Sequence, residues 1–347
     1  MSIEWLLENS GAVIKYRTQL ELMNINIKNL NNDMADIIAL PQTQKRLTFL
    51  KNLDYKRVHG SNHTYLENVL PMLSDFGINY DNSAVLEVYK ENHIIDEILA
   101  GNTNFYSIFY DRLISCPFLL RFNFPNKGLY DFATKRINTI HEFTRHKDYL
   151  IYDNPGNHKG VPKPFRNRPI IKPELSYGDK CKLPLIYDIL TMAEIYDSVS
   201  IDVQEKIDNI INYVISPGYD VVVDGYGILA APKRKYYAMG WDCKKPFNDK
   251  QDYSYRNLHR LLLYSQFPTA VKSSWFQNAI SFLKQFKTDT GTYKFPKEYL
   301  PEDDSNWILG SHMSLGENRC KKNWIEIEST FYIQSLMKNL HTKSGNC

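Results

Sequence analysis

Cysteine is sparse and poorly placed for cross-linking. Cys116, Cys181, Cys243, Cys320 and Cys347 are odd in number, widely separated and free of any C-x-x-C pair. A disulfide framework is excluded on that pattern, and reduced thiols in a cytoplasmic protein are the expectation. Long apolar runs are also lacking: none approaches the roughly 20 residues of a membrane-crossing helix. The N-terminal MSIEWLLENSGAVIKYRTQLELM has no basic region followed by an apolar core and a small-residue cleavage site, so it reads as mature protein from the start. Neither sign of charge dominates: 42 Lys and Arg against 39 Asp and Glu leave a net +3, too little to argue for nucleic acid as a partner. Alternating β-branched runs are almost absent, and VVVDGYGIL (221–229) is the only candidate strand.

Aromatic residues are abundant instead. They make up 13% of the 347 residues, with 24 Tyr and 17 Phe against 16 Gly. Tyrosine joins a large apolar body to a polar tip, which suits cavity walls and seams between helices. Helical periodicity runs through the chain in pairs. The first pair is broken at Asn9-Ser10-Gly11, and later pairs fall at 63–76 with 82–98, 104–122 with 130–147, 183–197 with 201–214, and 254–266 with 273–286. A closing helix is expected over about 325–340. Such hairpins bury their faces by stacking into an open superhelix or by closing into a ring of inner and outer helices. Long aromatic connections favour the ring, so a single-domain, all-α toroid spanning 1–347 is the expected architecture. Residues 153–182 depart from the pattern, with five prolines and seven Lys or Arg against three Asp or Glu. This cannot be helix and is read as a loop crossing the ring.

Three segments carry a family resemblance. They are the opening Trp5, Leu6, Leu7, Glu8 followed by Tyr16, Arg17 and Thr18; HGSNHTYLENVLPMLSDFGI; and YKFPKEYL…GSHMSLGENRCKKNWIEIESTF. Over about 5–340 the chain resembles the prenyltransferase and squalene-cyclase (terpenoid-cyclase) superfamily of α/α toroids, most closely a bacterial branch of it. The resemblance implies a toroid and an apolar, isoprenoid-type small-molecule ligand. The working motifs of that superfamily are missing, however. There is no Asp-x-Asp-Asp acid, the string Glu302-Asp303-Asp304 does not complete a diphosphate-binding Asp-Asp-x-x-Asp, and the Gln- and Trp-containing repeats are absent.

The densest polar segment is Thr290–Phe331. Pro296, Pro301, Gly291 and Gly310 forbid a continuous helix in its first half, leaving a long loop (287–324) between helices, the place where a helical protein puts a site. Within it His312, Glu317 and Arg319 are the candidate catalytic set, bracketed by Gly310 and Gly316. Tyr293, Trp307, Asn318 and Glu328 are candidate ligand contacts. The competing reading is an ion-paired brace in which Arg319 meets Glu317, Glu326 or Glu328. Two residues apart on a helix, Glu326 and Glu328 face about 200° apart, so only one points inward. A second cluster places Asp242 as a titrating group beside Trp241 and Tyr237. Asp179 and Cys181 match the Asp-x-Cys zinc pair of protein prenyltransferases, although an N-cap at Asp179 and a buried thiol at Cys181 account for the same residues. No other cofactor is implied. The expectation is therefore a protein that binds or transforms a small molecule in an aromatic-lined central cavity; the alternative is a noncatalytic scaffold with a protein partner.

Overall fold

The computed structural model describes residues 2–26, 30–54, 57–101, 108–175, 181–223, 225–231, 235–241, 243 and 255–345. The chain is predominantly helical, as its periodicity demands. It forms two compact units: Met1–Phe105, Phe118–Pro125 and Pro246–Cys347 make the first, and Tyr106–Pro117 with Asn126–Lys245 make the second.

The first unit begins with α1 (Ser2–Asn9) and α2 (Ala12–Arg17), which runs on into a π-helical turn, Thr18–Leu22. Next come α3 (Asn31–Ala39), α4 (Pro41–Lys51), α5 (Leu66–Asp75), α6 (Ser83–Glu91) and α7 (Ile94–Ala100). Proline at the first position of α4 presets the helical φ and lacks an N–H that would in any case be unpaired. The Asn82 side chain caps α6 on the Ala84 N–H, and Gly101 ends α7 in the left-handed conformation. The single helix expected over 82–98 is broken at Asn92. Its amide donates to the carbonyls of Lys51 and Leu53, 2.9 Å each, and its oxygen accepts the Ile94 N–H at 3.0 Å. One side chain thus ends α6, starts α7 and ties both to the end of α4.

Helix α8 (Ile108–Arg121) supplies residues to both units, the division falling at Pro117. The second unit holds α9 (Lys127–Thr144), capped by Asn126, with α10 (Ile186–Ile195) and α11 (Ile201–Ile215), which pack each on α9 rather than mainly on one another as the expected hairpin would. It also holds a small sheet of β1 (Ile170–Ile171), β2 (Gly227–Ala231) and β3 (Lys235–Met239). Strand β1 pairs parallel to β2 with Ile170 opposite Ile228, and β2 pairs antiparallel to β3 with Leu229 opposite Tyr237. The strand expected over 221–229 is displaced: 217–221 is a short 3-10 turn, and pairing begins at Gly227. Between α9 and α10 the described residues of the proline-rich segment form no α-helix, as its prolines require, and make 3-10 turns at Pro155–Asn157, Lys163–Phe165 and Pro173–Leu175. Arg136 of α9 anchors this unit through a buried ion pair to Asp188 (2.9 Å) and a bond to the Leu183 carbonyl (2.9 Å).

The rest of the first unit comprises α12 (Tyr255–Tyr264), α13 (Pro268–Val271), α14 (Ser274–Lys284) and α15 (Trp324–Ser344). From Gln285 to Asn323 the chain is a strap with 3-10 turns at Lys297–Tyr299 and Trp307–Leu309. Single antiparallel bridges join Lys287 to Tyr293 and Glu302 to His312. Asn306 and Gly310 flank the second turn, both left-handed, and Gly316 is left-handed too at φ 77°.

Candidate functional site

The strap meets α4 and α5 at a small charged recess. His312 is 2% exposed, held where the bridge to Glu302 and the Met313 N–H bond to the Pro301 carbonyl (2.8 Å) fold the strap back on itself. Its Nδ1 lies 3.4 Å from Asp304, and its Nε2 lies 3.3 Å from Arg46 Nη2. Burial, then the charge on Arg46, push the imidazole pKa down to about 4 against the pull of Asp304. At neutral pH the ring is uncharged, and its Nε2 accepts from the guanidinium.

Arg46 comes from α4 and is 4% exposed. Its Nη2 also reaches Asp304 at 3.1 Å, and its guanidinium lies 4.8 Å from the centroid of Phe76. Nε and Nη1 have no acceptor among the described residues. Burial lowers the guanidinium pKa, and Asp304 resists that shift. Lys45, the preceding residue, donates to the other oxygen of Asp304 at 2.8 Å. Burial disfavours the Asp304 carboxylate, yet the Lys45 bond and the charges of Arg46 and His312 prevail and hold it below the usual range. The recess encloses about 280 Å³ and is lined by Gln42, Lys45, Arg46, Phe76, Glu302, Asp304, His312 and Ser314.

The other candidates of the strap have separate engagements. Glu317 accepts the Gly11 N–H at 2.5 Å, and burial raises its pKa. Arg319 lies 3.1 Å from Glu328 and 3.6 Å from Glu302, donates to the Leu300 carbonyl at 3.0 Å and covers the Trp324 ring at 3.8 Å. Glu328 is fully buried and accepts the Leu315 N–H at 3.0 Å; burial pushes its carboxyl up to about 8 although Arg319 opposes the shift. Glu326 points elsewhere and accepts the Thr292 hydroxyl, so the two acids divide as their spacing requires. Tyr293 is buried, and its N–H bonds Thr330 Oγ1 at 2.9 Å. Trp307 donates from its backbone to Asn68 (2.8 Å) and from its indole to Asp75 (2.7 Å), with His259 edge-on at 4.6 Å. Asn318 is exposed, and its oxygen caps the Cys320 N–H in a turn. His312 alone of His312, Glu317 and Arg319 lines the recess, and neither Tyr293 nor Trp307 does. Of the pairings in the competing reading, Arg319 makes the one to Glu328, while Glu317 and Glu326 are held by Gly11 and Thr292 instead.

The second unit holds the other candidates. Trp241 adopts a positive φ of 71°, and its carbonyl accepts the Ile186 N–H at 2.9 Å; its ring packs 5.6 Å from Tyr187. Tyr237 stands on β3, half exposed. Cys181 is fully buried, and burial raises its thiol pKa, as for a packed residue. Asp242 and Asp179 lie outside the described residues. Among the described residues no group of three or more His, Cys, Asp or Glu side chains could hold a metal ion, and no helix is long and apolar enough to cross a membrane.

Lys45, Arg46 and Phe76 escaped the sequence reading. Arg46 sits in PQTQKRLTFLK, a helix too polar to show an apolar stripe, so nothing in its neighbourhood marks it as buried. Asp304 was visible only as part of an incomplete diphosphate motif. No family model, curated protein or solved structure matches the chain.

Proposed function

We propose that the protein binds a small anionic molecule, bearing a carboxylate or phosphate, in the recess beneath the strap. The observation that carries this reading is Arg46: a buried guanidinium on the recess wall whose Nε and Nη1 have no acceptor among the described residues. Leaving a buried N–H unmatched costs about 1–3 kcal/mol, and a ligand oxygen removes that cost. Two side chains hold Arg46 in place: Asp304 supplies countercharge, and neutral His312 accepts from Nη2. His312 is thereby a positioning residue, since its basic nitrogen faces Arg46. Lys45 adds a second, half-exposed cation to the wall.

At about 280 Å³ the recess lies near the lower end of the roughly 300–1,000 Å³ typical of small-molecule pockets. Phe76 supplies the one apolar ring among its lining residues, so an isoprenoid of the kind suggested by the family resemblance would engage it through a phosphate head group. A ring of helix hairpins remains the scaffold we favour, supported by the succession of helices that pack on near neighbours in the chain, such as α4 with α5.

Thermal unfolding with added orthophosphate, pyrophosphate and short dicarboxylates tests the reading. One of them should raise Tm of the wild type, since ligand at about 100 times Kd stabilises by about 2.7 kcal/mol. Arg46→Met should abolish that rise and Arg46→Lys should keep part of it. If none of the three anion classes shifts the wild type, or if Arg46→Met responds as the wild type does, the assignment fails.

A further inference from the structure

The proline-rich loop of the second unit carries Lys159, Lys163, Arg166, Arg168 and Lys172, with no acid between Asp153 and Glu174. Those five positive charges exceed the net +3 of the whole chain; +3 less five leaves −2 for everything else. Lys159, Lys163, Arg166 and Arg168 are exposed, and none of the five makes an ion pair among the described residues. The loop is also pinned. Its ends are joined by Asp153 N–H to the Ile170 carbonyl (2.8 Å), Lys172 N–H to the Ile151 carbonyl (3.0 Å) and the Tyr152–Ile171 bridge. Four prolines and a bond from His158 Nε2 to Asp153 (2.8 Å) stiffen the span between.

Aliphatic side chains stand out of the surface where this loop is rooted. Leu150 is 76% exposed, Val221 59% and Val223 36%, while Ile151 and Val222 between them are buried. The two segments are adjacent: the Val223 N–H donates to the Tyr152 hydroxyl at 2.8 Å, and the Tyr149 hydroxyl meets Ser216 Oγ at 2.5 Å.

We propose that this face docks on an anionic lipid bilayer, the loop cations meeting head groups while Leu150, Val221 and Val223 enter the interfacial layer. A phosphodiester chain would satisfy the cations and leave the aliphatic residues in water, whereas an anionic bilayer accepts both. Asp148 and Asp153 at the root, Glu174 beyond the loop, and Asp220 and Asp224 in the sequence flanking Val221–Val223 offset charge at the edges of this face, while the span between Asp153 and Glu174 carries five cations and no acid. Because the surface shares no residue with the lining of the Arg46 recess, Arg46→Met should leave vesicle binding unchanged.

Co-sedimentation of the full chain with vesicles provides the test. Binding should appear on phosphatidylcholine containing about one-third phosphatidylserine, be absent on phosphatidylcholine alone, and fall steeply between about 0.05 and 0.5 M salt. Each cation removed should weaken it about fivefold, so the triple variant Lys163→Gln, Arg166→Gln, Arg168→Gln loses about 100-fold. Leu150→Gln, a neutral change at a position too exposed to affect folding, should weaken it further, a loss that charge attraction alone would not produce. Equal partition to neutral and anionic vesicles, indifference to the triple variant or to Leu150→Gln, or retention by single-stranded polyuridylate in place of vesicles would overturn the proposal.

Discussion

Replacing Glu328 with Gln isolates the most heavily buried acid of the brace. The folded carboxyl titrates near 8, against 4.5 for an ordinary glutamate, because burial penalises its charge more than Arg319 relieves it. Between those values the folded protein holds a proton that the unfolded chain has released, so stability falls as pH rises through that window and is unaffected by this group below it. About 3.5 pH units at about 1.36 kcal/mol each set a ceiling near 5 kcal/mol on the loss. The substituted amide would keep an oxygen for the Leu315 N–H and carry no charge at any pH. Urea unfolding of both proteins should therefore show Glu328→Gln gaining on the wild type by about 3–5 kcal/mol between about pH 5 and pH 9. The comparison cancels His312 and His259, whose lowered pKa values, about 4 and about 3, cost stability as pH falls below 6.5 in both proteins. If the two stabilities stay a constant distance apart across that range, the account of Glu328 is wrong.

Four further substitutions probe the packing described above. Arg319→Ala should cost about 3–5 kcal/mol near pH 9, where an ionised Glu328 is left unpaired, but only about 1–2 kcal/mol near pH 5, where the losses are the contacts to Trp324 and the Leu300 carbonyl and the solvent-screened pair with Glu302; urea titrations at the two pH values separate these. Arg136→Ala leaves Asp188 buried without its partner and should destabilise by about 3–5 kcal/mol in equilibrium denaturation. Gly77 has φ +80°, and an added Cβ would lie 2.6 Å from the Tyr16 ring, whereas Gly291 at φ +85° has nothing within 4 Å. Calorimetry should show Gly77→Ala costing about 2–4 kcal/mol and Gly291→Ala about 1 kcal/mol, the difference being steric.

Local information was enough to place most of the long helices and the strap. Pro296, Pro301 and the flanking glycines rule out a helix there, and the 200° offset of Glu326 and Glu328 follows from helix geometry alone. Helices α3 and α4 were not legible because they are short and polar, and the break at Asn92 depends on carbonyls about 40 residues away. The same limit applied to the site. His312 stands out in the sequence, but its partner Arg46 lies 266 positions earlier, and the N–H that occupies Glu317 lies 306 positions earlier. Charge alone could not say whether Arg319 faced a ligand or Glu328; burial and distance decide it.

The discontinuity of the first unit bears on how it is made. Leu6, Ile14 and Tyr16 are buried in the finished protein, and the elements that hold α1 and α2 include α15: Gln334 reaches Ser2 at 3.0 Å, and Arg17 covers Phe331 at 4.9 Å. A ribosome adding about 5–20 residues per second needs at least about 15 s to travel from one to the other. The whole of the second unit, ending at Lys245, emerges within that interval. The faces of α1 and α2 that are not covered by one another or by α3 must therefore wait for α15 while the second unit is already complete, which makes them dependent on protection during synthesis.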